Sequence, residues 1–250
     1  MKKLMNDTEI NFQLAQWPAP SHVKALTTLR IGGVSKGAFN SLNLASHVGD
    51  DPGSVAENRR LMSKRLMLPS DPIWLSQTHS NKVVNAELSN INVQADGSYA
   101  TRRGVVCAIL TADCIPLFLT DQFGTRVCVL HVGWRGLAAG IIEQALSVMH
   151  IETKRLIAWI GPGIGPDAFI VNYDAWKVLT VDGSLHRDAF IKYGNRWLAN
   201  LGQMVEERLE LAGVSNLHSS RVCTFKDPTH WFSYRRDGSC GRMASLIWMT

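Results

Sequence analysis

Residues 104–114 read GVVCAILTADC and residues 126–136 read RVCVLHVGWRG, and these two stretches decide the fold. Each begins with a short apolar run, rich in β-branched residues and bounded by turn residues, which is typical of a buried strand. The thiol of Cys114 and the imidazole of His131 stand where the two strands end. Reactive side chains at the point where strands pass into loops are typical of a functional site.

The rest of the chain mixes strand and helix patterns without strict alternation. Alternating or short apolar runs predict further strands over residues 23–30, 73–79, 156–160 and 244–248. Helical spacing predicts helices over residues 54–67, 136–149 and 197–212, the first of them capped by Ser54. This order favours an α/β sandwich with mixed β-sheets over a doubly wound sheet.

Composition limits the classes of function. The 250 residues are 46% hydrophobic and 19% charged, which suits a globular chain with a large core, and we expect a single domain over residues 1–250. The net charge of +5 comes from scattered Lys and Arg rather than a basic run, so we expect no nucleic-acid partner, although a small anionic substrate fits. No apolar stretch is long enough to span a membrane, so we expect no membrane partner.

The five cysteines are odd in number and widely spaced, which argues against a disulfide framework. No Cys-x-x-Cys pair occurs, so a closed structural zinc site is not indicated. We therefore expect free thiols in a reducing cytoplasm. Cys107 and Cys128 lie inside predicted strands and are expected to be structural, whereas Cys114 follows an acidic residue and precedes a proline, where the chain leaves the sheet.

His79 adds a second imidazole, because it follows the predicted strand over residues 73–79. Together with Cys114 and His131 it makes a three-ligand set, which zinc uses at catalytic sites with the fourth position left for water or substrate. The same residues also fit chemistry without a metal, in which Cys114 is a thiolate nucleophile and His131 is its base. Sequence spacing does not separate these two hypotheses.

Two further features point to anion binding. Arg135 precedes a helix predicted to start near Gly136, and an arginine fork beside a helix N-terminus can hold an anion. The glycine-rich residues 161–165 fit either a phosphate-binding loop or a tight turn, since they match no established phosphate motif.

The ordered series of motifs resembles the YfiH-like laccase-domain family from about residue 17 to 248. The resemblance is carried by Thr28-x-Arg30-x-Gly32-Gly33-Val34-Ser35, Leu42-Asn43-Leu44, Val48-Gly49-Asp50, Asn58-Arg59, Gln77-x-His79, Thr111-Ala112-Asp113-Cys114-x-Pro116, His131-x-Gly133-Trp134-Arg135-Gly136, Gly161-Pro162-x-Ile164-Gly165, Cys223-Thr224, Phe232-Ser233-Tyr234-Arg235-Arg236-Asp237-Gly238 and Gly241-Arg242.

This resemblance implies a single-domain, four-layer αββα sandwich, with zinc bound by His79, Cys114 and His131. It implies a purine nucleoside phosphorylase acting on adenosine, inosine, guanosine and methylthioadenosine, with adenosine deaminase activity. Purine nucleosides and phosphate are then the expected partners, and a monomer or homodimer the expected assembly. Bacterial members are also named peptidoglycan editing factors, and older naming calls the family multicopper polyphenol oxidases.

For these activities we expect phosphate or other polar substrate contacts from Arg135, Arg30, Ser35 and Asn43. Asp113, beside Cys114, is the expected proton carrier or partner of the ligand set. The chain departs from the family pattern at Ile170, where the family has a glutamate, so substrate specificity is expected to differ.

Three alternatives remain open. An amidase acting on peptidoglycan precursors would use Cys114 as nucleophile and His131 as base. A copper-dependent polyphenol oxidase is disfavoured, because a multicopper site needs many imidazoles and the eight histidines include no His-x-His pair, although copper can replace zinc at a His/Cys site. A zinc-stabilised interaction module would need a fourth protein ligand, and none is evident.

Overall fold

The computed structural model describes residues 10–181 and 187–250 of the chain. Within those ranges it contains thirteen strands and six α-helices. The strands are β1 (Phe12–Leu14), β2 (Val23–Thr28), β3 (Val83–Asn85), β4 (Gly97–Ala100), β5 (Cys107–Thr111), β6 (Ile115–Asp121), β7 (Val127–Val132), β8 (Leu156–Ile160), β9 (Ile170–Val171), β10 (Phe190–Tyr193), β11 (Arg196–Ala199), β12 (Asn216–Ser219) and β13 (Met243–Met249). The helices are α1 (Pro52–Leu66), α2 (Trp134–Ala138), α3 (Ile141–Met149), α4 (Tyr173–Thr180), α5 (Leu201–Leu211) and α6 (Tyr234–Asp237).

Two large sheets form the centre of the molecule, of which the four-stranded one is antiparallel and the six-stranded one is mixed. One has four strands in the order β1-β2-β13-β5, and the other has six in the order β12-β8-β6-β7-β4-β3. The pairs β12–β8 and β3–β4 are parallel and the other pairs of the large sheets are antiparallel. A separate three-stranded sheet has the order β10-β11-β9.

Alternation along the strands separates the apolar layers. Phe118 and Val129 pack between the two large sheets, while their neighbours Leu117 and Leu130 face the layer that holds α3 and α5. On the other side, the outer face of the four-stranded sheet packs against α1 through Met62. The layers are therefore helix, sheet, sheet and helix, which confirms the expected αββα sandwich.

The prediction of a strand over residues 73–79 is wrong. Only isolated bridges form there, at Ile73 and Ser76. The side chain of Gln77 replaces the missing ladder, because its amide donates to the Leu110 carbonyl at 2.8 Å and accepts from the Leu110 N–H at 2.7 Å. His79 then takes a positive φ of 60°, which turns the chain away from the sheet.

The predicted helices exist, but their ends differ. The helix predicted over 136–149 is two helices, α2 and α3, because Gly140 between them adopts a φ of +83°. Asp51 rather than Ser54 caps α1, since the Asp51 carboxylate accepts the Ser54 N–H at 2.7 Å. The helix predicted over 197–212 begins only at Leu201, because residues 196–199 pair with β10 as a hairpin.

The glycine-rich residues 161–165 form a tightly packed turn. The N–H groups of Gly161 and Ile164 donate to the carbonyls of Pro116 and Asp113, and the Gly163 N–H donates to that of Val222. These amides are already bonded within the protein, so the turn, and not the phosphate loop, is the correct interpretation. Among the described residues, no helix has both the length and the apolar character needed to cross a bilayer.

Candidate metal centre and its cavity

Three elements that are distant in sequence bring His79, Cys114 and His131 together. His79 lies in the loop before β3, Cys114 in the turn between β5 and β6, and His131 near the end of β7. Their ligand atoms all lie within 4.8 Å of one another, and the Cys114 Sγ is 3.9 Å from the His79 Nε2. The structure thus brings together the three residues that the sequence analysis proposed as metal ligands.

The close packing around Gly133 explains why this position, two residues after His131, is a glycine. A Cβ at this position would lie 2.9 Å from the His79 ring and 3.0 Å from the Cys114 Sγ. Because Gly133 is also the residue that precedes α2, the chain turns into this helix directly against the cluster. A side chain there would push the ligand residues apart.

A single buried carboxylate organises both histidines. Asp96, which is completely buried, accepts from the His131 Nδ1 at 2.8 Å and from the His79 backbone N–H at 3.0 Å. It also accepts the N–H groups of Thr78 and Ser80 and the Ser80 hydroxyl. With Nδ1 bound to Asp96, His131 presents Nε2 to the cluster, as metal-binding histidines commonly do.

The cluster holds strongly perturbed pKa values. Burial alone would raise the pKa of Cys114, but the charge and hydrogen bonds of His131 and His79 outweigh it and lower that pKa to about 6. Burial alone would lower the pKa of His131, but the Cys114 thiolate and the Asp96 carboxylate raise it to about 9. Hydrogen bonds from His131 and Ser80 outweigh burial at Asp96 and lower its pKa to about 2. Without a bound ligand, Cys114 is therefore a thiolate and the neighbouring His131 an imidazolium.

Asp113 lies beside the cluster but is fully engaged in holding the turn. It has a φ of 95°, and its carboxylate accepts the Thr224 hydroxyl and the Arg235 N–H, both at 2.7 Å. These bonds tie the turn between β5 and β6 to the start of α6. Its proposed role in proton transfer remains a prediction, while its contacts are those of a residue that positions Cys114.

The cluster opens into a cavity of about 580 Å³. Three aromatic rings line it, those of Trp134, Phe169 and Tyr234, and so do three arginines, of which Arg135 was expected from the sequence. The Arg135 guanidinium lies over the Trp134 ring, 4.3 Å from its centroid. Aromatic rings and arginines in one cavity wall suit a planar, partly anionic ligand.

A larger cavity, of about 750 Å³, lies on the other side of the 161–165 turn. It contains none of the three clustered ligand residues, and its lining mixes acidic and basic side chains. We therefore place the candidate site in the smaller cavity, where the nucleophilic and metal-binding groups converge.

Three of the expected substrate-contacting residues do not line the candidate cavity. Ser35 and Asn43 are buried, and both donate to the Asp50 carboxylate, at 2.6 and 2.9 Å. Arg30 lies over the Phe232 ring at 4.4 Å and donates to the carbonyls of Asn40 and Pro228. The polar groups of Ser35, Asn43 and Arg30 are bonded to other protein groups, so these side chains hold neighbouring loops together.

Sequence reasoning missed several residues of the cavity wall, namely His47, Gln77, Phe169, Tyr234, Arg235 and Arg242. Tyr234 and Arg235 belong to the motif over residues 232–238, which carries the family resemblance and was the available signal. The hydrogen bond from the Arg235 N–H to Asp113 helps to hold the start of α6 at the site. Ile170, the departure from the family pattern, lines a neighbouring recess instead.

Comparison with known proteins places these observations in a family. A family model described as multi-copper polyphenol oxidoreductase laccase matches residues 24–250. A protein of Pseudomonas aeruginosa named purine nucleoside phosphorylase is 43% identical over 93% of this chain and 96% of its own length. The purine nucleoside phosphorylase YfiH of Escherichia coli is 40% identical, over 94% of this chain and 97% of its own.

Solved structures agree with that assignment. A Neisseria meningitidis protein superposes with a TM-score of 0.89 at 40% identity, covering 96% of this chain and 99% of its own. YlmD from Geobacillus stearothermophilus gives a TM-score of 0.85 at 29% identity and covers 92% of each chain. The chain therefore belongs to the laccase-like family that contains YfiH.

Proposed function

We propose that this protein is a zinc-dependent purine nucleoside phosphorylase that acts on adenosine, inosine, guanosine and methylthioadenosine and also deaminates adenosine. The observation that carries the proposal is the cluster of His79, Cys114 and His131 opening into a cavity walled by aromatic rings and arginines. Relatives covering nearly the whole chain are named purine nucleoside phosphorylases, which supports the same reaction.

The donor set fits zinc. One thiolate and two imidazoles are ligands that zinc takes at catalytic sites, and the lowered pKa of Cys114 supplies the thiolate at neutral pH. A bound zinc supplies Lewis acidity and a water of lowered pKa. Copper fits the same donors as a substitute. The described residues hold one cluster of three ligands, which is fewer than multicopper chemistry requires.

The chain's own side chains account for substrate binding. Trp134, Phe169 and Tyr234 offer rings on which a purine can stack, and Arg135 in the same wall can bind phosphate. In phosphorolysis an oxygen of hydrogen phosphate forms a bond to the sugar C1′ while the C1′–N9 bond breaks, and the proton of the phosphate passes overall to the leaving purine. Arginines beside that phosphate both bind it and hold it in position for attack.

One observation favours a second candidate, the amidase. Asp96, His131 and Cys114 form a chain in which a carboxylate orients an imidazole next to a thiolate, the arrangement of a thiol-dependent hydrolase. In that mechanism Cys114 attacks the amide carbonyl of a peptidoglycan precursor and His131 protonates the leaving amine.

Metal analysis and product analysis together test these proposals. The purified protein is assayed with adenosine and inosine, with and without phosphate, before and after chelation. We expect bound zinc, ribose 1-phosphate only when phosphate is present, and inosine from adenosine in either case. Metal-free protein that retains full nucleoside turnover would contradict the zinc dependence. A thioester on Cys114 after incubation with a peptidoglycan-precursor amide would instead support the amidase.

A further inference from the structure

A second recess adjoins the candidate cavity and is lined by three arginines. It has a volume of about 300 Å³ and shares a wall with the cavity formed by Trp134, Arg135, Phe169 and Arg235. Arg196, the first residue of β11, lines the recess from the other side. No lining residue is acidic, so three positive charges border a small volume.

These guanidinium groups have no carboxylate partner among the residues that the structure describes. Arg235 is oriented by hydrogen bonds from its Nη1 to the carbonyls of Ala168 and Ile170, at 3.2 and 2.9 Å. Arg135 is oriented by the Trp134 ring. Like charges held together without a counter-charge repel one another, so the arrangement favours binding of an anion.

The N-terminus of α4 borders the recess. Asn172, which caps α4, and Ala175 in its first turn both line it. The Ala175 N–H already donates to the Asn172 side chain at 3.1 Å, so this helix end contributes its partial positive charge rather than a free amide. Three guanidiniums and a helix N-terminus together match a dianionic, many-acceptor group better than a single carboxylate, which one arginine can satisfy.

We propose that the recess of Arg135, Arg196 and Arg235 at the N-terminus of α4 is a phosphoryl-binding subsite beside the nucleoside cavity. The inference rests on the proposed function, since it takes the adjoining cavity as the nucleoside site. The phosphoryl group has two sources, free phosphate as co-substrate or the 5′-phosphate of a nucleotide. Both present the same oxyanion to the arginines.

Two substitutions probe the recess, and each has a matched control variant. Arg196→Gln removes an exposed guanidinium, and Arg60→Gln, on α1, removes the same charge from a site that lines neither cavity. Ile170→Glu places a carboxylate in the recess, and Ile170→Gln, of equal length but uncharged, separates the charge from altered packing. Thermal melting shows whether each variant is folded.

Binding of inorganic phosphate and of inosine 5′-monophosphate to the zinc-loaded chain is measured by calorimetry, and KM values for phosphate and inosine are measured separately. We expect Arg196→Gln to weaken phosphoryl binding roughly tenfold, the loss of one charge-assisted contact. We expect Ile170→Glu to weaken it more than Ile170→Gln, and Arg60→Gln to leave it unchanged. A raised phosphate KM identifies free phosphate as the occupant, whereas weakened nucleotide binding with an unchanged phosphate KM identifies a nucleotide.

Phosphate and nucleotide binding within twofold of wild type in both Arg196→Gln and folded Ile170→Glu would overturn the subsite, even if phosphorolysis is observed. If instead Arg196→Gln loses phosphoryl binding but the wild-type chain shows no phosphate-dependent turnover, the subsite stands and the proposed function fails. Binding and turnover thus report on the two proposals separately.

Discussion

Two polar clusters of this molecule use similar residues in opposite ways. In the loop cluster, formed by Ser35, Asn43, Asp50 and Asn58, nearly every polar group is bonded to another polar group of the protein. In the metal cluster, formed by His79, Cys114 and His131, the ligand atoms converge on one another and on a cavity. A polar group whose partners are internal stabilises the fold, whereas one that faces a cavity without a partner is available to a ligand.

Loss of Cys114 should have the largest effect. Cys114→Ala removes the only thiolate of the described metal cluster, so zinc content and turnover should fall together. The loss should exceed the roughly 10–100-fold typical when a residue behind a metal ligand is changed. Metal analysis and nucleoside turnover measure this, with Cys223→Ala as the control, because Cys223 lines the larger cavity and not the candidate one. Zinc retention with intact turnover in Cys114→Ala would rule out Cys114 as a ligand.

The next largest effect should come from Asp96, which lies behind the metal cluster. Asp96→Asn replaces one carboxylate oxygen with an amide N–H, so it cannot accept all five of the hydrogen bonds that now hold His79, His131 and their loop. Zinc affinity should fall about 10–100-fold. Competition with a chromogenic chelator measures it, and Asp121→Asn, which changes a buried carboxylate at the far end of β6, should leave zinc affinity intact.

The thiolate state of Cys114 predicts a distinctive pH dependence in metal-free protein. Because only the thiolate reacts with iodoacetamide, the alkylation rate should rise with pH through a midpoint near 6. In His131→Asn the charge and hydrogen bond that lower the pKa are lost, so the midpoint should move upward. Mass spectrometry of the modified peptide gives the alkylation rate at Cys114. A wild-type midpoint near 9.0, the ordinary pKa of a cysteine thiol, would contradict the pairing of the Cys114 thiolate with the His131 imidazolium.

The strand alternation explains how much of the fold was predictable. The apolar runs ending at Cys114 and His131 are buried strands, and residues 156–160 form a strand with the predicted bounds. The region before His79 was not predictable from its pattern, because the side chain of Gln77 takes the place of backbone pairing. Local periodicity does not report a side chain that bonds to a strand 33 residues away.

The convergence of Cys114 and His131 was predictable, because each follows or ends a buried strand of the predicted fold, and their role as metal ligands stays a prediction. The loop cluster was not predictable, because Ser35 and Asn43 have the same residue types whether they bind a substrate or each other. Which case applies depends on Asp50 and Asn58, and only the tertiary structure shows them as partners. Arg235 was overlooked for the same reason, since its bonds to Asp113, Ala168 and Ile170 appear only in the tertiary structure.

Asn58 should be the most important stabilising residue of the loop cluster. Its amide donates to the Ser35 hydroxyl and to the Asn43 and Ser41 carbonyls, and its carbonyl accepts from Val34. Asn58→Ala removes these four hydrogen bonds, including those to the buried Ser35 and Asn43, and should lower the free energy of unfolding by about 3 kcal/mol. Urea denaturation measures it against Asn216→Ala, an exposed change on β12. Zinc content of the folded fraction should not change, and its loss would link the two clusters.

Ser35 gives the smallest effect and the sharpest separation of the two clusters. Ser35→Ala removes a hydroxyl that donates to Asp50 and accepts from Asn58, so it should cost about 1–2 kcal/mol of stability. The KM values for nucleoside and phosphate should stay unchanged, because the residue does not line the cavity. Steady-state kinetics below the melting temperature of Ser35→Ala measure these KM values. A raised KM with unchanged stability would show that Ser35 contacts the substrate, and the division between a stabilising cluster and a ligand-binding one would then fail.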